Sequence, residues 1–123
     1  MSDEERHKAG IEILETLLGG APRPGTLPDD FLEMTVDHVF GRVWARPGLE
    51  LQERSMITLA ALTVLGRENE LRVHLRGALN LGIPQEKIIE ILIHLAHYGG
   101  WPVAVSAMRI AKEAFESFEK KKA

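Results

Sequence analysis

From Met56 to Leu65 the chain reads Met-Ile-Thr-Leu-Ala-Ala-Leu-Thr-Val-Leu, and after one glycine the polar run Arg67-Glu68-Asn69-Glu70 follows. A helix that is apolar on nearly every side must be covered, either by a core or by another subunit. The next helical pattern opens on polar residues and carries Glu70 and His74 four apart, hence on one face. Acid, base and cation thus stand beside a dry surface, which makes a pocket wall.

The remaining pattern is helical throughout. Ser2-x-x-Glu5 is a capping box, and Ile11, Leu14, Leu17 and Leu18 form a stripe that Gly19-Gly20 should end. Residues 21–25, with Pro22 and Pro24, read as a loop. Thr26-x-x-Asp29 is a second capping signal, and a helix is expected from Pro28 to about Val43. On it Phe31, Met34, Thr35, His38 and Arg42 share one face. Trp44 to Leu49 is a turn, because Pro47-Gly48 breaks a helix and disfavours helical backbone just before it. The buried helix should run from about Gln52 to Leu65 and the next from about Glu68 to Leu81, with Gly82 as a left-handed cap and Pro84 opening the following helix. That helix, to Tyr98, carries Ile88, Ile89, Ile91, Leu92, Ile93 and Leu95. Such an isoleucine-rich run suits a buried strand as well, but its length and the flanking Pro84-Gln-Glu-Lys favour helix. Gly99-Gly100 breaks it, Pro102 restarts the chain, and Val103, Ala107, Ile110, Ala111, Ala114 and Phe118 give the last helix its stripe. No segment alternates with period two. The expectation is an all-α bundle of about six helices in one domain, residues 1–123.

Composition narrows the function. A net charge of −3 over 123 residues and a pI near 5.9 argue against nucleic acid as the main partner. Lys120-Lys121-Lys122 reads as a solvated helix end. The apolar runs fall short of the roughly 20 residues that span a bilayer, and the charged N-terminus is unlike a signal peptide, so no membrane partner is expected. The chain has no cysteine, which excludes disulfides, thiol redox chemistry and thiolate metal sites and suits a cytoplasmic protein. So small a body covers an all-apolar helix poorly, and a homo-oligomer is expected.

Each candidate side chain has two readings. His74 is a proton-transfer residue or a helix histidine with ordinary partners. Glu70 orients or charges that imidazole, or is a first-turn acid in an ordinary i,i+4 pair worth about 0.2–0.5 kcal/mol. Arg54 binds an anion or pairs with a neighbouring acid. His38 is a core or a pocket histidine. Trp44 and Tyr98 read first as packing residues with polar tips and second as pocket lining. Glu90, His94 and His97 share a face, yet a di-iron type site draws ligands from several helices, so an interface or structural hydrogen bonds are favoured and no metal is expected.

Taken in order, Trp44-x-Arg46-Pro47-Gly48-Leu49, Arg54-Ser55, Glu70-Leu71-x-x-His74-Leu75-Arg76, Gly82 and Tyr98-x-Gly100-x-Pro102 resemble the 4-carboxymuconolactone decarboxylase family. Arg6-x-x-x-Gly10, Leu18-Gly19 and His38-x-x-Gly41-x-x-Trp44 fit the same pattern, so the likeness covers nearly the whole chain. It implies an alkylhydroperoxidase-D-like fold, assembled as a ring-shaped hexamer (a trimer of dimers), and an enzyme of aromatic degradation that uses no cofactor. Peroxidases of the wider superfamily carry a Cys-x-x-Cys pair ahead of a histidine. Aligned on His74, those cysteines fall at Arg67 and Glu70, so the redox branch is excluded. Glu53 lies near that branch's proton-relay glutamate and is given a supporting role.

The family's substrate is a small anionic lactone bearing a carboxylate and an acetate arm, converted in protocatechuate catabolism to the β-ketoadipate enol-lactone. By this resemblance His74 and Glu70 are the catalytic pair. Arginines suit a dianion because their planar fork binds carboxylates and stays charged; Arg46, Arg54, Arg72 and Arg76 are the candidates. Arg46, Arg54 and Arg76, with His38, Trp44 and Tyr98, are assigned to substrate binding. The alternatives are another small carboxylated lactone or keto acid as substrate, or a non-catalytic oligomeric binding protein.

Overall fold

The computed structural model describes residues 1–122, and among them every regular element is helical. The chain divides into two compact units, Met1–Leu51 and Gln52–Ala123.

The first unit holds α1 (Asp3–Leu18), α2 (Asp29–Met34) and a π-helix (Thr35–Trp44). The expected capping box closes the start of α1: Ser2 Oγ accepts from the Glu5 amide and the Glu5 carboxylate accepts from the Ser2 amide. The second capping signal fails. Pro28 occupies the N-cap of α2 without a side-chain bond, and Thr26 instead donates to the Arg23 carbonyl within its own turn.

The helix expected over residues 28–43 is two elements, because α1 approaches its second half at backbone distance. A Cβ on Gly10 would lie 2.1 Å from the Val36 carbonyl oxygen, and one on Gly41 would lie 2.1 Å from that of Arg6. A π-helix advances its faces every four to five residues rather than every 3.6. Accordingly Val36, Phe40, Gly41 and Trp44 are buried, and the Phe40 and Trp44 rings sit 5.8 Å apart. The stripe of Phe31, Met34, His38 and Arg42 lies open to solvent instead.

The second unit holds α3 (Leu51–Val64), α4 (Glu68–Asn80), α5 (Gln85–Gly99) and α6 (Trp101–Lys122). Its core joins Leu59 of α3, Leu71, Leu75, Ala78 and Leu79 of α4, Ile88 and Leu92 of α5, and Ala107, Ile110 and Ala111 of α6. Gly66, at φ 70°, closes α3: the Arg67 amide reaches back to the Leu62 carbonyl at 2.9 Å. At the far end Gln52 donates to the Leu81 carbonyl at 2.8 Å, tying the start of α3 to the end of α4. The all-round apolar character of α3 is visible in its exposure. Leu59 is fully buried, while Ile57 is 57% exposed and Val64 and Leu65 are exposed as well.

The two glycine contacts give the first testable outcome. Gly10→Ala and Gly41→Ala should each destabilise by about 2–3 kcal/mol, as overpacking does, against the ~1 kcal/mol that helix propensity alone would favour. Gly48→Ala, whose Cβ meets nothing within 4 Å, should stay within about 0.5 kcal/mol in urea denaturation.

Candidate active site

α4 carries the principal candidates, and its core face fixes their directions. Leu71, Leu75, Ala78 and Leu79 point inward. One residue before Leu71 and one before Leu75, Glu70 and His74 emerge along one edge of that face. Glu70 is exposed and accepts from Arg67 Nε at 3.1 Å. His74 is half-buried. Burial, as the larger effect, pushes its pKa below the usual histidine value because it disfavours the imidazolium; the Glu70 carboxylate pulls in the opposite direction. The ring and the carboxylate are therefore electrostatically linked, as the four-residue spacing implied.

Arg76 lies two positions beyond His74, about 200° around the helix. Its guanidinium donates to Ser117 Oγ of α6 at 2.5 Å. Arg72 points the same way, its Nε 3.9 Å from the Glu113 carboxylate. These two arginines fasten α4 to α6 on the edge opposite Glu70 and His74. Arg54 is half-buried on α3, and its carbonyl accepts from Thr58. Glu53 is exposed on the first turn of that helix.

On α5, Tyr98 is 76% exposed and stacks on His94 at 5.1 Å between ring centroids. His97 Nδ1 donates to the Ile93 carbonyl at 3.1 Å. The face shared by Glu90, His94 and His97 is thus occupied by ring stacking and a backbone hydrogen bond.

The first unit holds the other candidates. Trp44 is buried against Phe40, which is the packing role read first for it. Arg46 is exposed in the turn that follows, its amide bonded to the Val43 carbonyl at 3.1 Å. His38 is exposed and lines a polar cleft of about 320 Å³ together with Arg6, Asp37 and Arg42. Asp37 also accepts from His7 Nδ1 of α1 at 2.6 Å.

Sequence reasoning gave Arg67 no partner and passed over Ser117. The Arg67 to Glu70 spacing of three was a legible signal. Nothing in the sequence marks Ser117, which lies 41 positions from its partner.

The sequence profile of the carboxymuconolactone decarboxylase family matches residues 29–113, a span that includes every candidate from His38 to Tyr98. A 4-carboxymuconolactone decarboxylase of Acinetobacter baylyi is 38% identical over 122 residues, covering 94% of this chain and 91% of that protein. A nitrosuccinic acid decarboxylase of Metarhizium robertsii is 36% identical over 104 residues, covering 85% of this chain and 71% of that protein.

The depressed pKa of His74 sets a pH dependence. Above about pH 6.5 the ring is neutral folded and unfolded, and it exerts no pull on stability. As pH falls below that value the unfolded chain takes the proton first, so stability declines until pH passes the lower, folded pKa. His74→Gln should remove this component. Urea titrations between pH 7.5 and 5 should give a shallower acid loss for the variant than for the parent.

Proposed function

This chain belongs to the carboxymuconolactone decarboxylase family, and on that premise we propose that it decarboxylates 4-carboxymuconolactone to the β-ketoadipate enol-lactone. It is a carboxy-lyase. The observation that carries the finer reading is the Glu70–His74 pair, a half-buried imidazole under the influence of one carboxylate at the edge of the α4 core face.

The substrate's own structure supplies the electron sink. When the bond to the departing carboxylate breaks, its electron pair flows through the ring double bond into the lactone carbonyl, and carbon dioxide leaves. The resulting enolate takes one proton at the carbon beside the carbonyl. The reaction therefore asks for anion binding, stabilisation of the enolate oxygen and one proton donor, with no cofactor. Arg54, half-buried on α3 in the same unit as His74, is assigned to anion binding. Arg76, engaged with Ser117, acts by fixing the orientation of α4. Of the other residues that the resemblance assigns to substrate, Tyr98 is exposed on α5, His38 and Arg46 are exposed on the first unit, and Trp44 is buried against Phe40.

His74 is the proton donor. Burial holds its ring neutral in the free protein, and a dianion beside it works in the opposite sense, as Glu70 already does in part. The ring thus gains a proton as substrate binds and delivers it after carbon dioxide departs.

A second reading is favoured by the nitrosuccinic acid decarboxylase relative. Nitrosuccinate is also a dianion, and its nitro group, on the carbon that loses carbon dioxide, is an equivalent sink. On this reading the same residues act on a different small dicarboxylate.

The deciding measurement is the ultraviolet decay of 4-carboxymuconolactone, run beside nitrosuccinate without added metal or cofactor. Wild type should consume the lactone. Folded His74→Ala should lose about 10²–10⁴-fold in kcat, and Arg54→Ala should raise KM. Consumption of nitrosuccinate alone would move the second reading to the front, and equal rates in wild type and His74→Ala would remove the donor role.

Assembly as a homo-oligomer, a hexamer in this reading, is supported by the large apolar side chains left open on the second unit. They include Ile57, Leu65, Ile93, Tyr98 and Trp101. Light scattering at micromolar concentration should report a multiple of the 13.7 kDa chain mass, and Ile57→Asp should shift it toward one chain.

A further inference from the structure

A dianion calls for two positive charges, and Arg54 supplies one of them. α4 and the residue before it carry three further arginines, Arg67, Arg72 and Arg76. Arg72 and Arg76 are turned toward Glu113 and Ser117 of α6, on the edge away from the imidazole. Arg67 goes the other way. Its Nε donates to Glu70 Oε1 at 3.1 Å, which places the guanidinium on the edge that carries Glu70 and His74. It precedes His74 by seven positions, close to two helical turns, so the two residues fall on one side of α4.

The hold of Glu70 on Arg67 is weak. The Arg67 side chain is 64% exposed and that of Glu70 49%, and a solvated ion pair of this kind adds little to stability. Its guanidinium can therefore exchange one carboxylate for another, and its planar fork suits a ligand's carboxylate as well as that of Glu70. Glu70 and His74 lie one turn apart, about 5.4 Å along the axis. A guanidinium held at Glu70 thus stands within the span of a small dicarboxylate from the imidazole.

We infer that Arg67 is a substrate-binding residue, which leaves Glu70 and takes one carboxylate of the bound dianion beside His74. The inference rests on the proposed decarboxylation for the identity of that dianion. It does not depend on which of the two substrates is right, since both carry two carboxylates.

The test compares wild type with Arg67→Gln, Arg67→Lys and Glu70→Gln in two assays. The backbone bonds of residue 67, from its amide to the Leu62 carbonyl and from the Leu71 amide to its own carbonyl, survive these changes. Both Arg67 variants should therefore melt within about 3 °C of wild type. The first assay is turnover of 4-carboxymuconolactone. Arg67→Gln should raise KM about 10–100-fold, the value of one charge-assisted pair, and change kcat by no more than about twofold. Arg67→Lys keeps the charge and loses the fork, so its KM should fall between the two. Glu70→Gln breaks the same ion pair but keeps the guanidinium, so its KM should not rise, whatever its kcat. An ion pair of purely structural value would raise KM in both.

The second assay is calorimetric titration with succinate and propionate, a dianion and a monoanion, which reads Arg67 without turnover. Wild type should favour succinate by roughly tenfold or more, and Arg67→Gln should lose that preference. The inference is overturned if Arg67→Gln leaves KM for the lactone within about twofold of wild type, or if Glu70→Gln raises it as far. It is equally overturned if wild type does not favour succinate, or if Arg67→Gln still does. The proposed reaction fails separately, when wild type leaves the lactone intact, and the succinate titrations then decide the role of Arg67.

Discussion

The face of α4 that buries Leu71, Leu75, Ala78 and Leu79 decides where each charged residue of that helix can go. A helix turns by about 100° per residue, so fixing four apolar side chains in a core fixes the azimuth of every other position. Glu70 and His74 come out on one edge, Arg72 and Arg76 on the other. The first edge is where an imidazole is half withdrawn from water while a carboxylate faces it. The second is where α4 is held to α6 through Ser117 and Glu113. A change that rotated α4 in its seat would disturb the ring's desolvation and the arginine contacts together. The packing of leucines thus sets how far His74 is withdrawn from water.

α3 faces the opposite problem, an excess of apolar surface. Its inward line of Ser55, Leu59 and Thr63 contains two hydroxyls, whereas its outward positions include Ile57 and Val64, followed by exposed Leu65. A helix serving only the core of one small unit would have the reverse pattern. The distribution makes sense when the outward line is itself destined for burial, which is the physical content of the proposed assembly.

How much could be read from the sequence depended on how local the cause was. The capping box of Ser2 and Glu5, the stop at Gly66 and the electrostatic influence of Glu70 on His74 are all set within four residues, and they were legible. The π-helix was not, because its cause is the close passage of α1: two glycines 31 positions apart admit a carbonyl each where a side chain would stand. Thr26 carried the letters of a cap but found a nearer acceptor at Arg23. Arg76 stood in the motif that carried the family resemblance, and its guanidinium is taken up by Ser117, a residue without any sequence mark. Side-chain identity was informative throughout, and side-chain direction only where the helix period stayed at 3.6.

That distinction bears on the chemistry. A reaction whose substrate holds its own electron sink makes modest demands on the protein: anion recognition, one stabilised oxygen and one proton. In the proposed reaction arginine would supply the first two, through a planar fork suited to carboxylates. The proton is the sensitive term, because an imidazole buried too little stays indifferent to its ligand, and one buried too deeply never protonates. Half-burial with a single carboxylate at the helix edge lies between these limits. In the proposed reaction a bound dianion would favour protonation of His74 in the same sense as Glu70, and would so couple proton uptake to occupancy of the site.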